Sequence, residues 1–205
     1  MSLFMNSPNF ASPNIRSPNI RSPNIRSPNI RSPNIRSPNI ISEQQPMYQF
    51  YKLKMAICHF RSSNGTIDNG YAILSEYPNK TVITLNLFNL PPGNHGFHIH
   101  EFADMRKGCI SLGSHYNPFN GTHGALNQTG NHLGDLGNIY VNENGKCNQQ
   151  IVVNYLPLSG NFSVIGRSMV IHSNIDDLGS GHDEESKKTG NSGSRISCGI
   201  IGYLN

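Results

Sequence analysis

The sequence predicts an all-β fold, a sandwich or barrel of six or more short strands, for the chain that follows residue 46. Short runs of alternating apolar residues recur there between Gly, Asn and Pro, and alternation with a period of two is typical of half-buried strands. Asn64-Gly65 and Asn144-Gly145 are dipeptides that favour hairpin turns. No window carries a helical period. The predicted strands span residues 54–60, 81–90, 137–141, 150–155, 167–171 and 197–204.

The first 46 residues differ from the rest and form a tandem repeat. The pentapeptide SPNIR begins at Ser12 and recurs four more times, between the degenerate copies SPNFA and SPNII. A proline in every fifth position blocks an α-helix, and a period of five gives no apolar face. We therefore expect residues 1–46 to be a disordered tail and residues 47–205 to be one domain. A repeat without activity competes here with weak polyanion binding by the arginines or phosphorylation of the Ser-Pro pairs.

Charge and apolar content exclude several classes of protein. The formal net charge of +4 comes from the tail, with five Arg and one Glu, whereas residues 47–205 are formally neutral. A basic nucleic-acid-binding core is therefore not expected. No apolar run approaches about 18 residues, so no transmembrane helix is predicted. The first 15 residues lack the basic and apolar parts of a signal peptide, and four cysteines in 205 residues are ordinary intracellular usage, so we expect a cytoplasmic protein.

Two long stretches without strand character, residues 101–135 and 173–194, indicate functional loops because ordinary loops are shorter. Seven of the nine histidines lie between His95 and His172. His98 and His100 occupy positions i and i+2 of a strand, so both imidazoles lie on one face and can reach one metal ion. Alone this pair is a weak signal, because such pairs also arise by chance.

The first long loop adds a second group of ligands. Three imidazoles and one carboxylate are a complete tetrahedral set for zinc without an open position, which is typical of a structural site. His172 follows the predicted strand 167–171, and four imidazoles without a thiolate suit a tetragonal Cu(II) centre. The alternative to a metal site is that these histidines are scattered over the surface. The ligands in the loop are His115, His123, His132 and Asp135.

The segments around these ligands resemble the signatures of the copper/zinc superoxide dismutases. They read GFHIHEF, GCISLGSHYNP, HLGDLGN and GRSMVIH, and a last segment runs from DDLGSGHDEES to SRISCGIIG. The resemblance covers about residues 54 to 205, in order and with consistent loop lengths. It implies a Greek-key sandwich or flattened barrel of about eight antiparallel strands. It also implies an antioxidant oxidoreductase that converts superoxide to oxygen and hydrogen peroxide by alternating Cu(II) and Cu(I).

The resemblance further implies two metal sites, with one copper and one zinc ion per subunit and one histidine shared between them. The copper ligands would be His98, His100, His115 and His172. The zinc ligands would be His115, His123, His132 and Asp135. His115 would therefore bridge both ions and, with Arg195, take part in the reaction.

Other residues receive roles from the same resemblance. Asp176 would link a copper histidine to a zinc histidine, and Arg195 would guide the anion. The channel would be shaped by Thr189, Glu184, Glu185 and Lys188. Cys109 and Cys198 would form an intrasubunit disulfide, whereas without the resemblance two buried free thiols would be the default.

The implied partners are superoxide as substrate and a second copy of the chain in a homodimer. A copper chaperone is a further candidate partner, and neither a membrane nor a specific nucleic acid is expected. His59 lies where relatives place an aliphatic residue near the dimer contact, which leaves the strength of the dimer open. The Asn- and Ile-rich composition suggests AT-rich coding, so a viral enzyme acting in host cytoplasm or carried in a virion fits the cytoplasmic prediction.

Three other functions compete with dismutation. A copper-delivery module would lack copper ligands and carry an added Cys-rich segment. Here every copper-ligand position is filled, and the sequence has no Cys-rich segment. A copper-only variant would lack the zinc ligands and the second long loop, but this sequence contains both. The third alternative is a metal-buffering protein of the same fold without dismutase activity, and only the presence of Arg195 argues against it.

Overall fold

A computed structural model describes residues 53–205, and the predictions for the SPNIR tail lie outside the described residues. Nearly all regular structure in this range is β-strand. Three strands lie outside the predicted ranges: β2, the short β5, and β4, although His98 and His100 were expected on a strand. The strands are β1 Lys54–Ser62, β2 Asp68–Tyr77, β3 Lys80–Leu87, β4 Gly93–His100, β5 Arg106–Cys109, β6 Asp135–Val141, β7 Cys147–Val153, β8 Ser168–His172 and β9 Arg195–Tyr203.

Eight of these strands form one antiparallel sheet in the order β6-β4-β8-β9-β1-β2-β3-β7. The two outer strands, β6 and β7, are consecutive in the chain and are joined through the turn at Asn144-Gly145, so the sheet nearly closes into a barrel. The Asn64-Gly65 turn joins β1 to β2 in the same way, and Gly65 and Gly145 have the positive φ that such turns need. The predicted all-β fold of about eight antiparallel strands is confirmed.

The core lies inside this barrel and follows from strict alternation along the strands. On β1, Ala56, Cys58 and Phe60 are fully buried, and on β3 every second residue from Thr81 to Leu87 is buried. Side chains at i and i+2 share a face of a strand, so on these two strands one face packs inward and the other faces out.

Strand β4 departs from this alternation in a way that locates the functional region. Phe97 and Ile99 belong to the hydrophobic core, yet His98 and His100 on the opposite face are also buried. The two long loops, residues 101–134 and 173–194, cover that outer face. The site therefore lies between the barrel wall and these loops.

Each long loop contains one short helical segment, and the first also contains the short strand β5. The first holds a 3-10 turn at Ile110–Leu112 and the second a single helical turn, α1, at Ser186–Thr189. Among residues 53–205, no helix has the length and apolar character needed to cross a bilayer.

The predicted disulfide between Cys109 and Cys198 is present and joins the first long loop to β9. Cys58 and Cys147 are free thiols inside the barrel. Burial raises the pKa of Cys147 to about 11 and that of Cys58 further, so both thiols stay protonated and unreactive at neutral pH.

Candidate metal centre

Four buried histidines converge on the outer face of β4. His98 and His100 come from β4, and His172 is the last residue of the neighbouring strand β8. His115 reaches them from the first long loop through a single antiparallel bridge to His100. Each ring offers one nitrogen, and these four nitrogens all lie within 4.8 Å of one another.

Three of these rings are oriented by hydrogen bonds from the nitrogen that points away from the cluster. Such contacts set the tautomer and the direction of the remaining lone pair. The bonds run from His98 Nε2 to Asp176 Oδ2 at 2.8 Å, from His100 Nδ1 to the Gly113 carbonyl at 2.9 Å and from His172 Nδ1 to the Gly193 carbonyl at 3.2 Å.

The nitrogens that face the middle of the cluster have no protein partner suited to them. His98 Nδ1 and His115 Nε2 are buried without a hydrogen bond, and His100 Nε2 lies 3.3 Å from His172 Nε2. Burial lowers the pKa of His98 and His100 well below the usual range and the pKa of His172 to about 4, so these rings are neutral at pH 7. A cation placed among these four nitrogens would satisfy their lone pairs, and an all-imidazole set fits copper.

A second cluster surrounds one oxygen of Asp135. Its other oxygen, Oδ2, accepts the backbone N–H groups of Gly124 and His132, both at 3.0 Å, which turns Oδ1 toward three imidazoles. Ligands about 2.0 Å from a tetrahedral zinc ion lie about 3.3 Å from one another. The observed spacing is close to this and the donor set fits zinc. Oδ1 lies 3.1 Å from His115 Nδ1, 2.9 Å from His123 Nδ1 and 3.2 Å from His132 Nδ1.

Two residues connect the clusters. His115 turns Nδ1 toward Asp135 and Nε2 toward the first cluster, and belongs to both. Asp176 accepts His98 Nε2 with Oδ2 at 2.8 Å and His123 Nε2 with Oδ1 at 2.7 Å. Burial opposes its charge, but these bonds lower the pKa of Asp176 to about 2, so it is a carboxylate at neutral pH. A change in one cluster therefore reaches the other through both residues.

A cavity of about 960 Å³ opens over the first cluster and exposes part of it to small molecules. Arg195 lies on its wall and is held by three carbonyl oxygens, those of Cys109 (2.7 Å), Ile110 (3.1 Å) and Gly113 (2.5 Å). A guanidinium has five N–H donors, so donors remain for a small anion. The predicted channel residues Glu184, Glu185, Lys188 and Thr189 line the same cavity.

Comparison with known proteins decides the family. The profile described as copper/zinc superoxide dismutase (SODC) matches residues 68–201. The chain belongs to the copper/zinc superoxide dismutase family.

Individual relatives agree with this family. Superoxide dismutase [Cu-Zn] 3 of Arabidopsis thaliana is 51% identical over 122 residues, which cover 60% of this chain and 74% of the relative. The extracellular superoxide dismutase [Cu-Zn] of Brugia pahangi is 44% identical over 153 residues, 73% of this chain and 76% of the relative. The crystal structure of the clock protein EA4 superposes with a TM-score of 0.69 at 38% identity, over 76% of this chain and 98% of that protein.

The chain is therefore a copper/zinc superoxide dismutase, an oxidoreductase that acts on superoxide with copper and zinc as cofactors. The chaperone-like and metal-buffering alternatives are not favoured. The match to the family and the two complete donor sets are both expected of the enzyme.

The prediction of a cytoplasmic location is wrong. It depended on ordinary cysteine usage and on the first residues of the sequence, whereas the Brugia pahangi relative is named as an extracellular enzyme. The structure also joins Cys109 to Cys198. Disulfides persist in oxidising compartments and are rare in the cytosol, so a count of cysteines was a poor guide to the location of this superoxide dismutase.

All metal-ligand candidates predicted from the sequence lie in the two clusters, and Asp176 lies between them. Lys187, which was not among the predicted channel residues, also lines the cavity, and its Nζ donates to the Gly179 carbonyl. Gly190 was missed altogether. It has a φ of 67°, and a Cβ there would lie 1.8 Å from Asp176 Oδ1 and 2.4 Å from His123 Nε2. Only glycine leaves room at this position for the carboxylate by which Asp176 connects His98 and His123 in this superoxide dismutase.

Substitution Gly190→Ala should loosen both metal sites, because the new methyl group displaces the Asp176 carboxylate from the two rings that it orients. Loss of an outer partner of this kind lowers metal affinity by about 10–100-fold. Metal content after dialysis against a chelator measures the effect. Gly160→Ala is the matched control, since Gly160 has a φ of 82° but nothing within 4 Å of the added Cβ. Equal metal retention in the two variants would contradict the role of Gly190.

Proposed function

We propose that this superoxide dismutase holds copper among His98, His100, His115 and His172, and zinc among His115, His123, His132 and Asp135. The observation that carries the proposal is the pair of donor sets that meet at His115, with two buried ring nitrogens that lack any hydrogen bond. The neutral state of the first set at pH 7 supports it further, because a protonated imidazole does not bind a metal ion.

The roles proposed for the individual side chains follow from their contacts. Copper, when bound, supplies two accessible oxidation states. Arg195 binds the superoxide anion through the N–H groups that the three carbonyls leave free, and its fixed planar donors orient a small anion as lysine cannot. His115 holds one proton at Nε2 between the two halves of the reaction and passes it to the reduced superoxide, which takes a second proton from solvent water and leaves as hydrogen peroxide.

Asp135 and Asp176 keep His115 and His98 oriented while that proton is held. His115 Nδ1 faces Asp135 throughout, so the ring keeps its place when Nε2 is protonated. His98 keeps its Nε2–H on Asp176. The two carboxylates are buried, which strengthens both contacts.

Charges on the cavity wall are proposed to guide superoxide. Residues 47–205 are formally neutral, so guidance depends on local charges. Lys187, Lys188 and Arg195 line the cavity together with Glu184 and Glu185. We propose that the three cations attract the anion and that the two carboxylates limit where it approaches.

We also propose that the enzyme is a homodimer. Support comes from apolar side chains left exposed near β9, where Phe102 is 53% and Tyr203 57% exposed. The Ser168 hydroxyl donates to the Phe102 carbonyl, which places this loop beside β8 and β9. Substitution Phe102→Glu should shift sedimentation toward the monomer. Tyr140→Glu is the control, because the exposed Tyr140 lies on β6, which β4 and β8 separate from β9. Unchanged sedimentation of the Phe102 variant would oppose this assembly.

A copper chaperone is the further partner proposed, because the first cluster is buried beneath the long loops.

Residues 47–205 are proposed as the complete catalytic domain, with residues 1–46 as a separate tail. All donor and cavity residues lie after residue 94. A chain that starts at Met47 should therefore keep its metal content, thermal midpoint and turnover within error, whereas any weak polyanion binding should be lost. Calorimetry and a superoxide assay on both chains measure this. A large loss of turnover in the shorter chain would make the repeat part of the enzyme.

The proposed function is tested by superoxide removal after metal loading. The full chain with copper and zinc should remove superoxide rapidly, and the chain with zinc alone should not, because only copper changes oxidation state. A metal-buffering protein would bind both ions and stay inactive in both states. That result would overturn the proposal.

A further inference from the structure

A methionine lies against the disulfide of this enzyme. Met105 Sδ is 3.9 Å from Cys198 Sγ. The cysteines of the pair are each only 1% exposed, whereas Met105 is 38% exposed. Met55 is more buried and Met169 is fully buried, so Met105 is the most accessible methionine among residues 53–205. Its side chain contacts one disulfide sulfur and is itself partly exposed to solvent.

The backbone around Met105 is held in place. The Gly108 N–H donates to the Met105 carbonyl at 3.0 Å, and the Ser111 hydroxyl donates to the Asp104 carbonyl at 2.7 Å. Asp104 also forms an ion pair with Arg106. An open groove of about 470 Å³ lined in part by Met105 gives small molecules access to this turn. Met105 therefore both contacts the disulfide and borders this groove.

We propose that Met105 is an oxidation site for hydrogen peroxide, and that its oxidation opens the Cys109–Cys198 disulfide to thiols. The O–O bond of the peroxide breaks, one oxygen forms an S–O bond with the thioether, and the other leaves as water. Sulfur is oxidised and peroxide is reduced, with no further reactant. The peroxide is the product of the proposed function, so the source of the oxidant depends on that function.

The structure gives this oxidation a consequence. The disulfide packs with Leu112 and Val170 in a small apolar cluster. A sulfoxide is polar and disrupts apolar contacts, so the oxidised side chain turns toward water and leaves Cys198 Sγ open. Attack by a thiolate requires access to a disulfide sulfur. Since the Cys109 carbonyl holds Arg195, reduction of the bond also loosens the anion site.

The test adds hydrogen peroxide to the metal-loaded full chain, maps oxygen uptake by peptide mass spectrometry and then measures the rate of disulfide reduction by glutathione. Met105 should gain oxygen before Met55 and Met169. Peroxide treatment should raise the reduction rate about threefold or more, because the sulfur is uncovered. Met105→Gln should raise that rate without peroxide, and Met105→Leu should make it insensitive to peroxide. Met55→Leu is the control that should behave as the parent chain does.

Two results would overturn the proposal. One is oxidation of Met55 as fast as that of Met105, and the other is a peroxide effect on the reduction rate that persists in Met105→Leu. Because peroxide is added directly, neither result depends on dismutase activity. An inactive enzyme with a reactive Met105 would overturn the proposed function alone.

Discussion

Substitution His115→Ala should impair both metal sites at once and remove most dismutase activity. His115 is the only residue that belongs to both four-membered donor sets of residues 53–205, with Nδ1 on one side and Nε2 on the other. The loss in zinc affinity should exceed the roughly 10–100-fold that loss of an outer partner costs, since a direct ligand is removed. Zinc content and the visible spectrum of Cu(II) should both change.

A control separates this effect from the loss of any histidine. His182→Ala removes an imidazole that belongs to neither donor set, so it should leave zinc content, copper spectrum and turnover as in the parent chain. An unchanged Cu(II) spectrum in His115→Ala would show that His115 does not bridge the ions.

The second large effect is expected at Arg195. Arg195→Ile should lose most of the activity while both metals stay bound, because the guanidinium contacts only backbone carbonyls and no metal-ligand side chain. Arg195→Lys should keep part of the activity, since it retains the charge but not the planar arrangement of donors. Turnover at saturating metal content measures both variants.

Salt distinguishes guidance of the anion from a structural role. Charges separated by more than about 10 Å are largely screened at 0.1 M salt, so the parent rate should fall as salt rises and the rate of Arg195→Ile should fall less. Arg61→Gln, an exposed arginine on β1 outside the cavity, should keep the parent's salt dependence. A rate for Arg195→Ile equal to the parent rate at low salt would remove Arg195 from the mechanism.

The sequence was informative where a local pattern determines the structure. Asn64-Gly65 predicts its hairpin because both the turn and its positive φ are local. The His98–His100 spacing places both rings on one face of β4 for the same reason. Strand β2 was missed because its outward residues, such as Tyr71 and Ile73, are also apolar, so alternation is weak.

The features that could not be predicted depend on residues distant in sequence. The requirement for glycine at position 190 arises from Asp176 and His123, which the fold brings beside it. Lys187 is an exposed residue, and its position on the cavity wall depends on how the second long loop folds. The burial of β4 on both faces depends in the same way on loops that follow it. Such properties come from packing and have no local signature in the sequence.

The central claim is that copper and zinc share His115. Anomalous diffraction from crystals of the metal-loaded chain, recorded on both sides of the copper and zinc absorption edges, tests it most directly. We expect a copper peak among His98, His100, His115 and His172, and a zinc peak among His115, His123, His132 and Asp135. A single peak, or two peaks of which only one contacts His115, would contradict the account.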